Sequence, residues 1–384
     1  MKKILITYAT AGTGHTKAAM AIKKAFDEIA PEGVEISLID SLDYTSGFFK
    51  WAYLKIYLLL VNRLPLLWGL LYYITDNYYI NLSITPFRVF SNRLNSRRFR
   101  DYLISLEPDV IISTHFFPSE AATHLKKKGL LKSCLITVVT DYGLHPWWIL
   151  DSTDIYIVSS QEEADDLFKK NIGQLSDIRI IGIPVEPEFT RKLDREDILL
   201  KNNLKDGMFT VLVIGGGFGV GPIEDIVKTI NGVSNHGIQV ITICGYNRSL
   251  VKRLVSIKGR LKVNLKVLGY VDNVYDYMEV SDILISKSGG ITISESLAKE
   301  LPMIIIFPIP GQETRNADFL TNRGAAIKIE DLSDLKPALE DLTSNREKLR
   351  GMKDATKRIR KPQACYEIAR LAIGCIGKDV ERRG

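Results

Sequence analysis

The sequence predicts an α/β protein built from two Rossmann-like domains, each with a doubly wound parallel sheet. Three observations support this fold class. Short apolar runs rich in β-branched residues alternate with helix-length amphipathic segments, as in parallel sheets with crossover helices. The pattern starts again near residue 208, so each half opens with a strand, a glycine loop and a helix. At 384 residues the chain also exceeds one ordinary core, since a domain takes roughly 150 residues.

The first half begins with a buried strand expected over residues 3–8, followed by a glycine loop at 10–15. Apolar residues recur at helical spacing between Ala18 and Ile29, which predicts a helix directly after the loop. The remaining strands of this half are expected at the apolar runs 34–39, 110–114, 135–139, 155–158 and 178–181.

A change of composition separates the two halves. Pro184, Pro187 and a charged stretch that begins at Arg191 indicate a connection rather than a core element. Strands resume after it and are expected at 210–214, 240–243, 265–268, 283–285 and 304–307. The expected order is a first domain at 1–187, a linker at 188–207, a second domain at 208–361 and a C-terminal helix at 362–384. This helix can cross back to the first domain. The two domains are expected to face a central cleft between the carboxyl ends of their sheets, a usual place for a ligand.

The composition excludes several classes of protein. Hydrophobic residues make up 46% and charged residues 25% of the chain, which excludes wholesale disorder and collagen-like or coiled-coil structure. The net charge of +6 is too weak to indicate nucleic acid, but it is compatible with an anionic surface. Four cysteines without a C-x-x-C pair exclude a disulfide scaffold and a zinc ribbon, and they favour reduced thiols in a cytosol.

No transmembrane helix is expected. The apolar stretch at 51–74 is interrupted by Lys55, Asn62, Arg63 and Pro65, and its longest uncharged run falls short of the ~20 residues that a bilayer requires. The N-terminal apolar run is too short for the core of a signal peptide and is better explained as the first strand.

Residues 48–100 nevertheless indicate contact with a membrane surface. Aromatic side chains crowd the segment 48–80, and several arginines follow them. A peripheral membrane protein needs apolar side chains for the acyl boundary and cations for anionic headgroups. The sequence therefore predicts a peripheral protein at the cytoplasmic face of the cell membrane, with Leu67 and Trp68 among its contacts. The alternative is that these helices pack in the core or against a partner.

Both glycine loops are candidates for phosphate binding, because a loop that leads into a helix offers free N–H groups and a positive dipole end. Neither is a dinucleotide fingerprint: Lys17 replaces the third glycine of the first loop, and 215–221 has the wrong spacing. The alternative for 215–221 is a tight turn without a ligand. His15 is a candidate general base, since imidazole can deprotonate a hydroxyl near neutral pH; the alternative is an exposed neighbour of a helix cap.

Two polar runs follow apolar strands of the second half, at 286–296 and 310–316. Glu295 can accept two hydrogen bonds from a ribose diol, although Thr292-x-x-Glu295 is also a capping-box pattern that would close a helix start. Gln312 and Glu313 offer amide and carboxylate groups for sugar hydroxyls. No D-x-D motif occurs in the chain, so no bound metal is expected.

Three motifs occur here in combination: Gly14-His15 after the first strand, TDYGLH at 140–145, and SKSGGITISESLAKELPMIII with PIPGQETRN. Together they resemble the diacylglycerol glycosyltransferases of glycosyltransferase family 28, which include processive diacylglycerol glucosyltransferases and monogalactosyldiacylglycerol synthases. The resemblance extends from residue 3 to about 330. It implies a GT-B fold, a UDP-sugar donor held by the second domain, a lipid acceptor met by the first, and an inverting reaction without a cofactor.

The resemblance also implies roles for individual residues. His15 would be the catalytic base or part of its relay, with Asp141 and His145 orienting His15 or the acceptor. The groups expected to hold the donor are Glu295 for the ribose; Gln312 and Glu313 for the sugar; Gly215, Gly216, Gly217, Lys287 and Ser288 for the diphosphate; the backbone of Gly269, Tyr270 and Val271 for uracil; and Gly14, Gly289, Gly290, Thr292 and Asn316 elsewhere in the donor site.

The implied activity is transfer of glucose or galactose from a UDP-sugar to diacylglycerol or a glycosyl-diacylglycerol, of EC 2.4.1 type, to make membrane glycolipid. The alternative with the same fold is transfer of N-acetylglucosamine to a polyprenyl-linked or other lipid. Two other classes are a non-catalytic nucleotide-sugar or lipid-binding module and a dehydrogenase. His15 and Glu295 count against the first of these, and Lys17 counts against the second.

Overall fold

The computed structural model describes residues 1–10, 12–170, 172, 176–217, 219, 221–234 and 237–376, apart from the side chains of Asn62 and Tyr78. Parts of both glycine loops (Ala11, Phe218 and Val220) and the last eight residues of the expected C-terminal helix therefore lie outside the described residues. The chain divides into two compact units. The first unit comprises Met1–Pro187, Pro310–Gln312 and Lys361–Gly384, and the second comprises Glu188–Ile309 and Glu313–Arg360.

The first unit contains a parallel six-stranded sheet in the order β2-β1-β3-β4-β5-β6. Its central strands β3 and β4 are completely buried, as the continuous runs of Val, Ile and Leu predict for strands covered on both faces. All six strands lie within one residue of their predicted positions. Their bounds are β1 Lys2–Tyr8, β2 Val34–Asp40, β3 Val110–Ser113, β4 Cys134–Val138, β5 Ile155–Val158 and β6 Asp177–Ile180.

Helices cover this sheet. The predicted apolar face of the first helix is confirmed: Ala18, Ile22 and Phe26 are fully buried and Ile29 is partly buried. The C-terminal helix belongs to the same unit, where Ile368 and neighbouring small residues join the core formed with the first helix. The helices of this unit are α1 Thr13–Ile29, α2 Gly47–Arg63, α3 Pro65–Asp76, α4 Tyr78–Asn95, α5 Arg97–Leu106, α6 Phe116–Lys127, α7 Gln161–Lys169 and α16 Ala364–Cys375.

The second unit repeats the architecture, with a parallel sheet in the order β12-β11-β10-β7-β8-β9. Its strands are β7 Phe209–Ile214, β8 Ile238–Ile243, β9 Asn264–Leu268, β10 Ile283–Ser286, β11 Met303–Ile306 and β12 Ala326–Ile329. The first five lie within two residues of their predictions, whereas β12 was not predicted. Its four residues include Lys328, so no apolar run marks it.

The helices of the second unit begin inside the segment that the sequence indicated as a linker. Residues 188–207 group with this unit and include α8, whose Ile198 and Leu199 are buried. The helices are α8 Arg195–Lys201, α9 Ile223–Asn231, α10 Arg248–Lys258, α11 Val274–Glu279, α12 Gly290–Ala298, α13 Gln312–Thr321, α14 Leu335–Ser344 and α15 Arg346–Ile359.

The aromatic segment forms α2, α3 and α4, and many of its apolar side chains face solvent. Leu66 is 81% exposed and Phe87 is 75% exposed, so the alternative that these side chains pack in the core is wrong. Trp68, expected at the membrane, is partly buried, and its contact with a membrane stays a prediction. Within the described residues, no single helix is long and apolar enough to cross a bilayer; Gly47–Val61 and Pro65–Asp76 would qualify only as a pair, and that pair is bent by 108°.

Candidate active site

His15 is fixed at the carboxyl edge of the first sheet, where β1, β3 and β4 end side by side. Its Nδ1 lies 2.8 Å from the carbonyl oxygen of Thr114 and 2.8 Å from the hydroxyl of Thr140. The hydroxyl of Thr114 donates in turn to the carbonyl of His15, at 2.9 Å. Because a carbonyl oxygen can only accept, Nδ1 carries the proton, and the lone pair of the ring lies on Nε2. This tautomer has a free base at Nε2.

The surroundings of His15 keep it neutral near pH 7. Burial lowers the pKa of His15, and the negative charge of Asp141 and the Thr114 carbonyl only partly oppose this. The structure thus brings Asp141 close enough to His15 to act on its charge, while its role in orienting His15 or the acceptor stays a prediction. Behind Asp141, Glu163 accepts hydrogen bonds from the backbone and hydroxyl of Ser159, at 2.8 and 2.6 Å. Burial raises the pKa of Glu163 to about 7, so this carboxyl is partly protonated at neutral pH.

A second histidine, His115, lies against His15 and was missed in the sequence. The two rings meet edge to face with centroids 4.5 Å apart. Nδ1 of His115 accepts from the N–H of Phe117 at 3.0 Å and caps α6, which leaves the proton on Nε2. Burial, and then the neighbouring His15, hold the pKa of His115 well below 6.5. The only sequence signal was its position two residues after the end of β3.

The described hydrogen bonds of His145 join it to Trp147 and to α3. Its Nδ1 accepts from the N–H of Trp147, and its Nε2 lies 3.3 Å from the hydroxyl of Thr75. That hydroxyl donates to backbone carbonyls of α3, so it accepts from His145. The ring also packs on Tyr72, with centroids 4.6 Å apart. Both ring nitrogens of His145 thus form hydrogen bonds. These contacts favour a role in positioning α3 over a role as a general base.

In the second unit, Lys287 and the start of α12 form a cationic corner after β10. Gly289 precedes α12 without a side-chain cap, so the first N–H groups of this helix are available to an anion. Among the described residues, no carboxylate forms an ion pair with Lys287. Lys287, Gly215 and Phe307 contribute to the lining of one shallow pocket. Phe307, which sequence reasoning missed, has a φ of 46°, an unusual conformation for a bulky residue and one found at ligand sites.

This corner is stabilised by hydrogen bonds of Ser288, Glu313 and Asn316. The buried hydroxyl of Ser288 donates to the carbonyl of Glu313 at 2.6 Å, which leaves its backbone N–H as the group that a diphosphate could meet. Asn316 is completely buried and donates to the carbonyl of Ser288 at 2.9 Å. The carboxylate of Glu313 accepts from the N–H of Ile309 at 2.8 Å. These contacts hold the loops after β10 and β11 together.

The capping-box explanation for Glu295 is wrong. α12 begins at Gly290, so Thr292 is its third residue and not its cap. Glu295 therefore lies inside the helix, 5% exposed. Its expected contact with a ribose stays a prediction.

The glycine loop after β7 owes part of its composition to packing. A Cβ on Gly219 would lie 2.0 Å from the carbonyl of Cys244, and one on Gly245 would lie 2.2 Å from the carbonyl of Gly217. Gly216 has a φ of 68°, which favours glycine. The loops after β7 and β8 thus touch backbone to backbone, and this contact requires small residues whether or not a ligand binds.

Gly269, Tyr270 and Val271 follow β9 at the same edge of the second sheet. The exposed ring of Tyr270 stacks on Tyr246, with centroids 4.4 Å apart and planes 10° from parallel. Burial and a hydrogen bond with Asp272 raise the pKa of Tyr270 to about 12, so its hydroxyl stays protonated.

Gln312 lies in the short segment that groups with the first unit. Its side-chain carbonyl accepts a hydrogen bond from the indole of Trp68 at 3.2 Å. Gly311, beside it, has a φ of 103° and lies so close to Tyr72 that a Cβ would be 2.7 Å from that ring. Among the described residues, no three His, Cys, Asp or Glu side chains are grouped as a metal site.

Comparisons with known proteins identify the fold and the family. The chain superposes on MurG of Acinetobacter baumannii with a TM-score of 0.65, at 14% identity over 97% of this chain and 100% of that one. The monogalactosyldiacylglycerol (MGDG) synthase family model matches residues 15–185, and the glycosyltransferase family 28 C-terminal domain matches residues 210–368. Two parallel six-stranded sheets with this similarity define a GT-B glycosyltransferase fold, which confirms the predicted fold class.

Full-length relatives narrow the class to a family. A processive diacylglycerol beta-glucosyltransferase of Bacillus cereus is 31% identical over 95% of this chain and 92% of its own length. One from Bacillus cytotoxicus is 30% identical over 97% of this chain and 93% of its own. The chain belongs to the diacylglycerol glycosyltransferase family that includes these enzymes. The predicted family is therefore confirmed.

The buried His115 should make folding sensitive to acid. Below pH 6.5 the unfolded chain protonates this histidine while the folded chain does not, so stability falls as the pH falls. In His115→Asn, which keeps an acceptor for the N–H of Phe117, this contribution is absent. The unfolding free energy of the parent protein should therefore fall more steeply than that of the variant, by up to about 1.4 kcal/mol per pH unit below pH 6.5.

Urea-induced unfolding at a series of pH values between 7 and 5 measures this difference. Glu163 acts in the opposite direction, because its raised pKa favours the folded state in acid, but it does so in both proteins. Parallel pH dependences in the two proteins would contradict a neutral, buried His115.

Proposed function

We propose that this protein transfers glucose or galactose from a UDP-sugar to diacylglycerol or a glycosyl-diacylglycerol, with inversion at the anomeric carbon. The observation that supports this most strongly is the combination of family membership over 95% of the chain with a histidine whose Nε2 is a free base. The first unit would meet the lipid acceptor, and the second would bind the donor.

His15 is the proposed general base. Nε2 would take the proton of the acceptor hydroxyl as its oxygen attacks the anomeric carbon from the face opposite the leaving UDP. The hydrogen bond from Nδ1 to the Thr114 carbonyl fixes the ring and stabilises the imidazolium that forms. Asp141 favours the same charged state, because its carboxylate raises the affinity of His15 for a proton. His115 would hold the ring from its other side without adding a positive charge.

The departing UDP would be stabilised in the second unit. Its diphosphate gains charge in the transition state, and Lys287 with the uncapped N-terminus of α12 offers a positive potential for it. The loop at 215–217 supplies further N–H groups. Uracil would meet the backbone at 269–271, Glu295 the ribose, and Gln312 and Glu313 the hexose. A cation supplied by the chain itself supports a reaction that needs no metal.

The exposed apolar side chains of α2, α3 and α4 support peripheral binding at the cytoplasmic face of the membrane. Phe87, Phe90 and Leu94 follow one another at helical spacing on α4, and each is at least 65% exposed. Transfer of these apolar side chains from water to the acyl boundary of a bilayer is favourable. This contact would hold the acceptor side of the enzyme at the bilayer in which diacylglycerol resides.

The donor and the acceptor are tested by a direct transfer assay. The purified protein is incubated with labelled UDP-glucose, UDP-galactose or UDP-N-acetylglucosamine and diacylglycerol in neutral detergent micelles, and the lipid extract is separated by thin-layer chromatography. We expect a glycosyl-diacylglycerol from one of the two hexoses, with the same yield in the presence of EDTA. Transfer of N-acetylglucosamine alone would contradict the proposed donor, and strict dependence on Mg²⁺ would contradict the metal-free reaction.

Loss of the base should slow the chemical step without weakening the donor complex. His15→Ala is expected to lower kcat by about 10²–10⁴-fold, the usual contribution of general-base catalysis, while UDP binding measured by calorimetry is retained. Met20→Ala, which removes an exposed side chain from the same helix α1, is the matched control and should keep full activity. A His15→Ala enzyme with a near-normal rate would refute the role of His15.

The exposed face of α4 should be required for vesicle binding. Phe87→Glu with Phe90→Glu removes two apolar groups, each worth about 1.5–3 kcal/mol when buried, so affinity for phosphatidylcholine–phosphatidylglycerol vesicles should fall by at least about 100-fold. Phe168→Glu, at a 55% exposed position on α7, is the matched control and should lose far less. Cosedimentation measures both, and equal binding by the two proteins would contradict the membrane-facing role of α4.

A further inference from the structure

A cationic groove lies in the first unit beside α4, and none of the residues assigned to catalysis lines it. It is open to solvent and is lined by α4, α5 and α6. Arg93 comes from α4, Arg100 from α5 and His124 from α6, with Asn92 and Ser96 between them. Cationic and hydrogen-bonding groups from three helices therefore converge on one small volume.

The two arginines of this groove, Arg93 and Arg100, form no ion pair in the part of the chain that the structure describes. Glu120 also lines the groove, but its carboxylate pairs with Arg88 and accepts from Asn92 at 3.2 Å. A groove with unneutralised arginines is a site for an anion.

Arg100 is held in place for this role. Its Nη1 donates to the carbonyl of Arg93 at 2.6 Å and to the hydroxyl of Ser96 at 2.7 Å. Both acceptors are neutral, so they orient the guanidinium without cancelling its charge. Burial lowers the pKa of His124, and the positive charges of Arg93, Arg100, Lys128 and Lys127 lower it further.

The position of the groove identifies the source of the anion. Arg93 lies on α4 between Phe90 and Leu94, which are 65% and 69% exposed. Residues three and four apart share a helix face, so the exposed apolar row runs along the edge of the groove. A free phosphate ion would gain nothing from this row, whereas a phospholipid would place its phosphate in the groove and its acyl chains along the row.

We propose that the groove formed by Arg93, Arg100 and His124 binds the phosphate of an anionic phospholipid headgroup. This deepens the proposed membrane association: it adds a specific headgroup site to a face that would otherwise attract anionic lipid only through its overall charge. Arginine suits this role because its planar group can donate two parallel hydrogen bonds to phosphate oxygens.

The test compares two exposed arginines that carry the same charge. Arg93→Gln removes a groove residue, and Arg98→Gln removes an arginine of α5 outside the groove lining. Diffuse attraction alone would cost each variant about fivefold in affinity for phosphatidylcholine vesicles that contain phosphatidylglycerol. We expect about that loss for Arg98→Gln and more than about 20-fold for Arg93→Gln. Equal losses would overturn the site.

The titration of His124 provides a second readout that does not depend on a variant. An anion in the groove favours the imidazolium, so the pKa of His124 measured by NMR should rise when short-chain phosphatidylglycerol is added. Inorganic phosphate is the comparison, because it lacks the acyl chains. A rise with the lipid at concentrations where phosphate has no effect supports the proposal; saturation by phosphate overturns the lipid assignment, and no rise with either overturns the site.

Hexose transfer in neutral detergent micelles separates this inference from the proposed function. Arg93→Gln should leave that transfer unchanged, because the groove holds no residue assigned to donor binding or proton transfer. If the parent protein showed no transfer but its vesicle binding still depended on Arg93, the proposed function would fail and the headgroup site would stand.

Discussion

The hydrogen bond between Nδ1 of His15 and the carbonyl of Thr114 is the constraint on which the candidate active site depends. It joins the helix that follows β1 to the end of the neighbouring strand β3, and the hydroxyl of Thr114 returns a bond to the backbone of His15. This reciprocal pair fixes both the position of the ring and its tautomer. Without it, burial would still keep the imidazole neutral, but nothing would decide which nitrogen is the base.

Sheet topology explains why such a site can form. In each unit the strands are parallel, so every loop after a strand emerges at one edge, and residues far apart in sequence meet there. In the first unit this gathers His15, Thr114 and Thr140, and in the second it gathers Lys287, the start of α12 and the glycine loop. The buried strands stabilise each unit, and the loops at their ends carry the side chains that can bind ligands and react.

Much of this could be predicted from the sequence, because buried parallel strands are continuous apolar runs that need no tertiary information. β12 escaped prediction since Lys328 interrupts a run of only four residues. His115 escaped for a different reason: its contact with His15 joins residues a hundred positions apart, and only the pairing of β1 with β3 brings them together. Motif resemblance pointed to His15 and Asp141, but it could not give the tautomer or the burial that sets the charge.

Three patterns of the sequence each had two physical explanations, and the structure excludes one explanation in the first case only. Thr292-x-x-Glu295 has the spacing of a capping box, yet the helix starts earlier, at Gly290. Trp68 belongs to an apolar stretch, yet its indole N–H also donates to Gln312, while Leu66 and Phe87 are more exposed; membrane contact of Trp68 stays a prediction. The glycines of the second loop fit phosphate binding, yet Gly219 and Gly245 are also needed where two loops touch.

The protonation state of His15 is the most direct test of this account. ¹⁵N NMR of protein labelled at histidine distinguishes protonated from unprotonated ring nitrogens, and comparison with His15→Ala assigns the signals. The structure predicts a neutral ring at pH 7, with a proton on Nδ1 and none on Nε2. A ring protonated on both nitrogens at pH 7, or the opposite tautomer, would leave no base at Nε2 and would contradict the proposed mechanism.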